Sequence, residues 1–502
     1  MAVVYDEYAK DRPGYFFGLS GPRLIAMVAT GVPAVWALSR QQWVLLLAFA
    51  AGWALVALLA LVPIAGRTAI GWIVASIRHT IGGITGWTTF RARAASGTAA
   101  DLDQADLPGV LAGTSIHDGP PQGVDQRRVA IIQHHATRTW AVTAAITHPG
   151  LAMTDTAERA SQGSGLTTLL NACARTELVE EVQFVIRSVP DDGAERDQWM
   201  GNHHRDDAPV LARQVNEALA GMLTRAAVRT EAFLPVVVPD RRLAKEAREY
   251  GRGVNGRARA LGMVMAEVEE HLRAGLQISE VEWLTSPQLA AAVRTGFAPG
   301  DRAGIIDALA AHATDDQVNP NVPWAMAGPS GANLAPRHYS HDAWNSISAT
   351  IKLPARGAVI GALAPVLAPT EPEERRSLLV AFPILGQTTA DRQTASAEWA
   401  ADMGEELRAK AGVKTRAKDR IALARTRSLD NRLATGNALI RPYAVATVTV
   451  PKTCRIAEFG RRLDASIRHA GFAPLRLDLV QDAAFAASTI PLGTSLLRAS
   501  ET

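Results

Sequence analysis

Residues 127–150 read RRVAIIQHHATRTWAVTAAITHPG. Val129–Ile132 and Trp140–Ile146 are rich in β-branched and aromatic residues, and the polar HHATR between them is short, so the spacing predicts two strands joined by a turn. Outward from this pair, Thr154–Arg175 reads as a helix with Asp155 or Thr154 as its N-cap. LVEEVQFVIRSVP (178–190) alternates as a sheet strand does. A helical stretch over 206–229, a strand over 231–240, a charged helix from Arg241 to Gly275 and a strand over 276–285 follow. That order of strands and helices describes a lobe of the α/β or α+β class.

Further along, 298–337 is rich in Pro, Gly and Asn and reads as an irregular connection. A second lobe begins with HYSHDAWNSISATIKLP as a strand and continues with a strand in 376–386. Two cationic helices are expected at about 391–411 and 415–435, then the strand ALIRPYAVATVTVP, a helix over Arg455–Gly471 and a last strand APLRLDLV. The two lobes share a rhythm of strand, paired helices and strand, with no repeat at the level of letters.

The first hundred residues differ from this. Trp43–Ile64, WVLLLAFAAGWALVALLALVPI, is 22 residues without a charge. As a helix it would extend about 33 Å, enough to cross about 30 Å of hydrocarbon. Leu24–Leu38 is shorter and carries Pro33; it reads as a second span, with a re-entrant or signal-like segment as the alternative. Only SRQQ separates the two runs, so the expectation is a tight hairpin. Lys10, Arg12 and Arg23 precede it, Arg67, Arg78, Arg91 and Arg93 follow it, and no acid lies between Arg67 and Arg93, so the positive-inside rule puts both ends and the large C-terminal part in the cytoplasm. In 67–93 the residues Ile70, Ile73, Val74, Ile77, Ile81 and Ile84 recur near the helical period. With Trp72 and Trp87 and the arginines, they suit a helix lying in the membrane interface. A third span is the weaker alternative, because Arg78 and His79 would sit at its centre.

Composition adds little more. The 502 residues carry a net charge of +3, with 48% hydrophobic and 20% charged residues, which is an ordered protein and not a nucleic-acid-binding tail. Cys173 and Cys454, far apart and without metal spacing, read as buried thiols in helical segments of a protein from a reducing compartment.

Several patterns come close to a catalytic or binding signature. SQGSGLTTLL (161–170) resembles the end of a phosphate-binding loop, but Leu166 stands where the phosphate-neutralising lysine belongs and Ala160 where the first glycine belongs. His203 and His204 with Asp206 and Asp207, and His338 and His341 with Asp342, could supply metal ligands; a solvated loop and a hydrogen-bonded sheet residue are the better readings. Arg416, Arg420 and Arg427 share one helical face, yet Asp419 and Asp430 interrupt it and stacking aromatics are absent. A solvated face or an acidic protein partner is therefore favoured over direct nucleic-acid contact. No residue commits to catalysis, a cofactor or a metal.

The order of features carries a resemblance. The hairpin, GRTAIGWIVASIRHTIGGITGWTTFRAR, RRVAIIQ…TWAVTAAITHPGLAMTD, HYSHDAWNSISATIKLP and GFAPLRLDLVQDAAFAASTIPLG together resemble an actinobacterial family of membrane proteins found with conjugative elements. In that family the anchor looks like the two-helix inner-membrane subunit of type IV secretion machines. The rest looks like the amino-terminal, non-hydrolysing domain of their secretion ATPase. The resemblance implies a non-enzymatic scaffold for DNA transfer. Its implied partners are a separate secretion ATPase, other inner-membrane channel subunits and the lipid bilayer, within an oligomeric complex. A type VII secretion subunit resembling the EccE component, and a membrane-tethered enzyme, are the alternatives.

The expected organisation is an N-terminal cytoplasmic segment (1–22), a transmembrane hairpin (23–65), a basic amphipathic juxtamembrane segment (66–97), a first α+β lobe (98–297), the connection (298–337) and a second α+β lobe (338–502). The expected fold class is thus α+β, with a transmembrane hairpin before a two-lobed cytoplasmic body of mixed sheets and paired helices. The expected contacts are Arg67, Arg78, Arg91, Arg93, Trp72 and Trp87 at the membrane surface, and Arg416, Arg420 and Arg427 at a partner.

Overall fold

A computed structural model describes residues 21–386 and 437–496, apart from 62, 65–66, 124, 151–154, 204, 206, 227 and 353–357. The expected helices at 391–411 and 415–435, the segment 1–20 and the residues Arg416, Arg420 and Arg427 lie outside the described residues.

The chain divides into two compact units. One, here called the body, contains Thr85–Ile384 and the residues from Pro442 onward; the other contains the helices up to Ile84. In the helical unit, α1 (Gly21–Ser39) runs through Pro33 and α2 (Trp43–Leu61) starts after a three-residue turn whose Gln41 has φ 53. The two-residue strands β1 (Pro63–Ile64) and β2 (Arg67–Thr68) pair with each other and lead into α3 (Ala69–Thr85). Among the described residues no helix is long and apolar enough to cross a membrane. The uncharged α2 is 19 residues long, and the side chains of its residues 59–61 lie outside the described residues.

The body is α+β, built on one large antiparallel sheet. Its strands are β3 (Thr89–Arg91), β4 (Thr114–Gln122), β5 (Arg127–His134), β6 (Thr139–Thr147), β7 (Glu181–Pro190), β8 (Val228–Pro239), β9 (Glu280–Trp283), β10 (Gly331–Leu334), β11 (Tyr339–His341), β12 (Trp344–Lys352), β13 (Arg375–Leu385), β15 (Tyr443–Pro451) and β16 (Ala473–Arg476), with the short β14 (Leu439–Ile440) preceding β15 in the chain. The pairing order is β3-β10-β11-β12-β15-β13-β7-β8-β6-β5-β4, with β16 added to β12 and β9 to β6. Each pairing along that path is antiparallel.

This corrects the expectation of two lobes with mixed sheets. β7 comes from the expected first lobe and β13 from the second, yet they pair over Arg376↔Ser188 to Pro383↔Glu181, so both segments feed one sheet. The physical reason lies in both strands' own residues. Val182, Val185, Leu378 and Leu379 are all buried, so neither strand has a face to offer water, and each needs a neighbour on both edges.

The helices of the body are α4 (Thr156–Arg175), α5 (Ala194–Asn202), α6 (Val210–Ala226), α7 (Asp240–Glu246), α8 (Gly253–Leu276), α9 (Ser286–Phe297), α10 (Arg302–Thr314), α11 (Trp324–Ala327), α12 (Ala364–Leu367), α13 (Ile456–His469) and α14 (Gln481–Thr489). Asp155 caps α4 by accepting from the Glu158 backbone N–H at 2.7 Å, as its sequence suggested. The single charged helix expected over Arg241–Gly275 is two helices: α7 ends at Glu246, and the turn between it and α8 passes through Gly251 and Gly253, whose φ values of 114 and 76 suit glycine. The expected connection 298–337 contains α10, α11 and β10. HYSHDAWNSISATIKLP is a hairpin of β11 and β12 turning at Asp342, φ 43, and not one strand.

The two faces of the central strands bury different chemistry. On one, Ile347, Ala349, Leu378, Ala446 and Val448 pack against Phe459, Leu463 and Ile467, which recur every four residues along α13. On the other, Ser348, Thr447 and Ser377 meet α14, which is buried at every residue but Asp482. Thr447 Oγ1 lies 2.6 Å from Ser348 Oγ and 2.7 Å from Ser488 Oγ, while Ser377 Oγ lies 2.7 Å from Thr489 Oγ1. Gln481 closes the row by accepting from the Ser348 N–H at 2.6 Å and donating to its carbonyl. Period-two alternation thus gives an apolar seam and a hydroxyl seam on the same strands. The residues after α14 continue across the sheet: Pro491 O accepts from Thr143, Leu492 O from His134 Nε2 and Thr494 O from Gln183.

Candidate functional site

In the helical unit, α1 and α2 are joined by a hydrogen bond from Trp53 Nε1 to Met27 O at 3.0 Å, and the indole approaches because Gly31 has no side chain there. The apolar side chains of α2 turn outward: Trp43, Val44, Leu47, Leu55 and Leu58 are exposed, Val44 by 82%. On α3, Ile73, Val74, Ile77, Ile81 and Ile84 are exposed as well, Trp72 is half-buried and Arg78 exposed. This is the apolar stripe that the period of 67–93 predicted, from Ile73 onward. Arg67 lies on β2, and its side chain is outside the described residues, as is that of Ile70.

The remaining expected membrane contacts belong to the body. Trp87 is exposed, Arg91 is exposed on β3, and Arg93 is partly committed elsewhere: its backbone N–H donates to Asp106 at 2.6 Å and its Nε lies 3.4 Å from the same carboxylate.

The phosphate-loop lookalike is the middle of α4. Gly165 is a packing glycine: a Cβ built there would lie 2.0 Å from the Gly275 carbonyl oxygen on α8, so the two helices touch backbone to backbone at this point. Cys173 is buried on the same helix, and burial pushes its thiol up to about 12. Cys454 departs from the expectation: it is half-buried in the turn before α13, where its thiol donates to Glu373 Oε2 at 2.8 Å.

The histidine clusters serve the fold. His341 Nδ1–H donates to Phe297 O at 2.8 Å, and its Nε2 lies 2.8 Å from Ser346 Oγ, which in turn lies 2.7 Å from Thr449 Oγ1. His341 and Ser346 are both 0% exposed, so this Ser–His couple has no access for a substrate, and burial lowers the His341 pKa to about 3. Asp342 accepts from the Ser330 N–H and pairs with Arg294 at 3.2 Å. His203 stacks on Trp199 with centroids 4.3 Å apart, and Asp207 pairs with Arg205 at 2.8 Å; His204 and Asp206 lie outside the described residues.

Sequence reasoning missed one charged cluster. At one end of β7, β8 and β13, Arg187, Arg229, Arg302 and Arg375 gather around Glu231, Asp192 and Glu195 beside a small cleft lined also by Val189, Pro190, Pro299 and Gly300. Arg187 pairs with Glu231 at 2.7 Å and donates to Ala292 O at 2.8 Å. Arg229 pairs with Glu195 at 2.5 Å, and Arg302 bonds Asp192 at 2.6 Å and also Glu195. Burial works to raise the Asp192 and Glu195 carboxyls, but the bond from Arg302 and the charges of Arg302 and Arg229 outweigh it and hold both below the ordinary carboxylate range. Asp191, Asp192 and Glu195 bring three carboxylate oxygens within 4.8 Å of one another, a set that could hold a metal ion; here guanidinium groups already supply cations to Asp192 and Glu195. The available signal was Arg187, a charge inside the apolar run FVIRSVP.

No family model matches the chain, and no curated protein is significantly similar to it.

Proposed function

We propose that this chain is a non-enzymatic inner-membrane scaffold of a type IV-like conjugative DNA transfer or secretion apparatus, holding a separate cytosolic secretion ATPase at the membrane channel. One observation carries the reading: the uncharged α2 turns Val44, Leu47, Leu55 and Leu58 outward, on a unit separate from the sheet body. Apolar side chains in that number need a cover, and hydrocarbon is a cover that suits an uncharged apolar surface. In this reading the hairpin spans the bilayer, α3 lies in its interface, and the body is cytoplasmic. Arg67, Arg78, Arg91 and Arg93 sit near anionic head groups, each contributing about 1 kcal/mol. Leu166 at the lysine position, inside a packing helix, supports a motor on another polypeptide. The chain would work as an oligomer among other channel subunits.

The test is purification of the full chain from membranes with mild detergent, followed by identification of what accompanies it. A secretion ATPase of a mobile element is the expected companion. A type VII core complex in its place, or a chain recovered in the soluble fraction without detergent, overturns the proposal.

A further inference from the structure

One cation of the charged cleft has no direct partner. Among the described residues Arg229, Arg302 and Arg375 line the cleft with Asp192 and Glu231, and Arg187, Glu195 and Asp191 lie next to these. Glu231 is engaged by Arg187, Asp192 by Arg302, and Glu195 by Arg229 and Arg302. Arg375 is left over. The carbon of its guanidinium lies over the Trp344 ring, 4.5 Å from the centroid, its buried Nε has no hydrogen-bond partner, and no described carboxylate pairs with it. Asp192 and Glu231 reach it only as charges at a distance.

A half-enclosed cation without a direct partner is costly, since the desolvation of a guanidinium is recovered best by hydrogen bonds and close opposite charge. The contact with Trp344 restrains the guanidinium, so its position is set in advance of any ligand. The cleft in front of it is floored by Pro299 and Gly300, and neither places a long side chain there. Arg302, beside it, is held by Asp192 and Glu195 and cannot swing away without breaking both pairs.

We propose that this cleft is a binding site for a single oxyanion group, a carboxylate or a phosphate, received by Arg375 with Arg229 and Arg302 at its sides. A flat, pre-positioned guanidinium suits the paired oxygens of either group. The inference is independent of the membrane scaffold reading, because it concerns only the body.

The experiment uses the full chain in detergent and titrates inorganic phosphate and, separately, acetate, at constant ionic strength set with chloride. Binding is read by calorimetry and by the thermal unfolding midpoint. Saturable binding of one of them is expected, and which one binds distinguishes the two sources. In Arg375→Met, which keeps a stem over Trp344 but removes the charge, affinity falls at least about tenfold, the loss of one charge-assisted fork. That variant also unfolds at a higher temperature than the wild type when no anion is added, because a half-buried guanidinium without hydrogen bonds has gone. Arg375→Lys keeps the charge without the fork and binds between the two. Equal affinity in wild type and Arg375→Met, or the absence of saturable binding of both anions by the wild type, overturns the site.

Discussion

The body and the helical unit solve opposite problems with similar residues. In the body, β12, β13 and β15 are covered on both faces, apolar against α13 and hydroxyl-lined against α14, and even the ion pair Arg376–Glu374, 2.7 Å apart, is 0% exposed on both side chains. In the helical unit, the large apolar side chains of α2 and α3 are the ones facing outward. The contrast separates two kinds of burial. The sheet hides its polar groups by pairing them, which needs partners from distant parts of the sequence, whereas the helices satisfy their backbone internally and leave side-chain cover to the surroundings.

The sharpest way to break that contrast is to remove its apolar side. Deletion of residues 24–64 is expected to move the chain from the carbonate-resistant membrane pellet to the supernatant, read by fractionation and immunoblot. Retention in the pellet would mean that the body itself carries the membrane affinity. The milder Leu55→Arg, at the exposed middle of α2, is expected to weaken insertion by about 3 kcal/mol, the usual cost of a central cation.

On the body's side the largest effect falls on the enclosed pair. Arg376 also donates to Val366 O and Ser466 Oγ, tying α12 and α13 to β13. Arg376→Leu leaves Glu374 buried and unpaired and is expected to cost about 3–5 kcal/mol in chemical denaturation, with much of the loss recovered when Glu374→Leu is added. If the single variant is as stable as the wild type, matched polar groups are not what holds this seam.

A smaller effect is the pH dependence of the same interior. His341 has a pKa of about 3 in the folded chain against an ordinary 6.5, so the unfolded chain takes up the proton first as pH falls. Stability from this group is complete above pH 6.5 and is lost between there and about 3, by up to about 1.4 kcal/mol per pH unit. His134, also lowered by burial, acts in the same sense, and Glu181, raised by burial, in the opposite one. The comparison is therefore between wild type and His341→Asn, whose unfolding midpoint should fall less steeply from pH 6.5 to 5.

Local periodicity made much of the architecture legible. Val129–Ile132 and Trp140–Ile146 became β5 and β6 with the expected turn, Asp155 capped α4, and the isoleucines of α3 formed the stripe that their spacing required. What stayed hidden were relations between distant segments. The pairing of β7 with β13 joins residues that no local window spans, and it turned two expected lobes into one sheet. The charged cleft stayed hidden for the same reason, because Arg187, Glu231, Arg302 and Arg375 come from four segments, each unremarkable alone. Gly165 was misleading in the other direction: its motif suggested a phosphate, and its role is to let α4 meet α8.

The position of α14 has a consequence for synthesis. Gln481–Thr489 fills the hydroxyl-lined face of β12, β13 and β15, and the residues that follow it bond to β5, β6 and β7, made more than 300 residues earlier. On a ribosome adding about 5–20 residues per second, β5 to β8 wait many seconds for the segment that closes them. Nascent chains must therefore carry an open sheet face through most of translation, and chaperone dependence should track the interval between the emergence of β7 and that of α14.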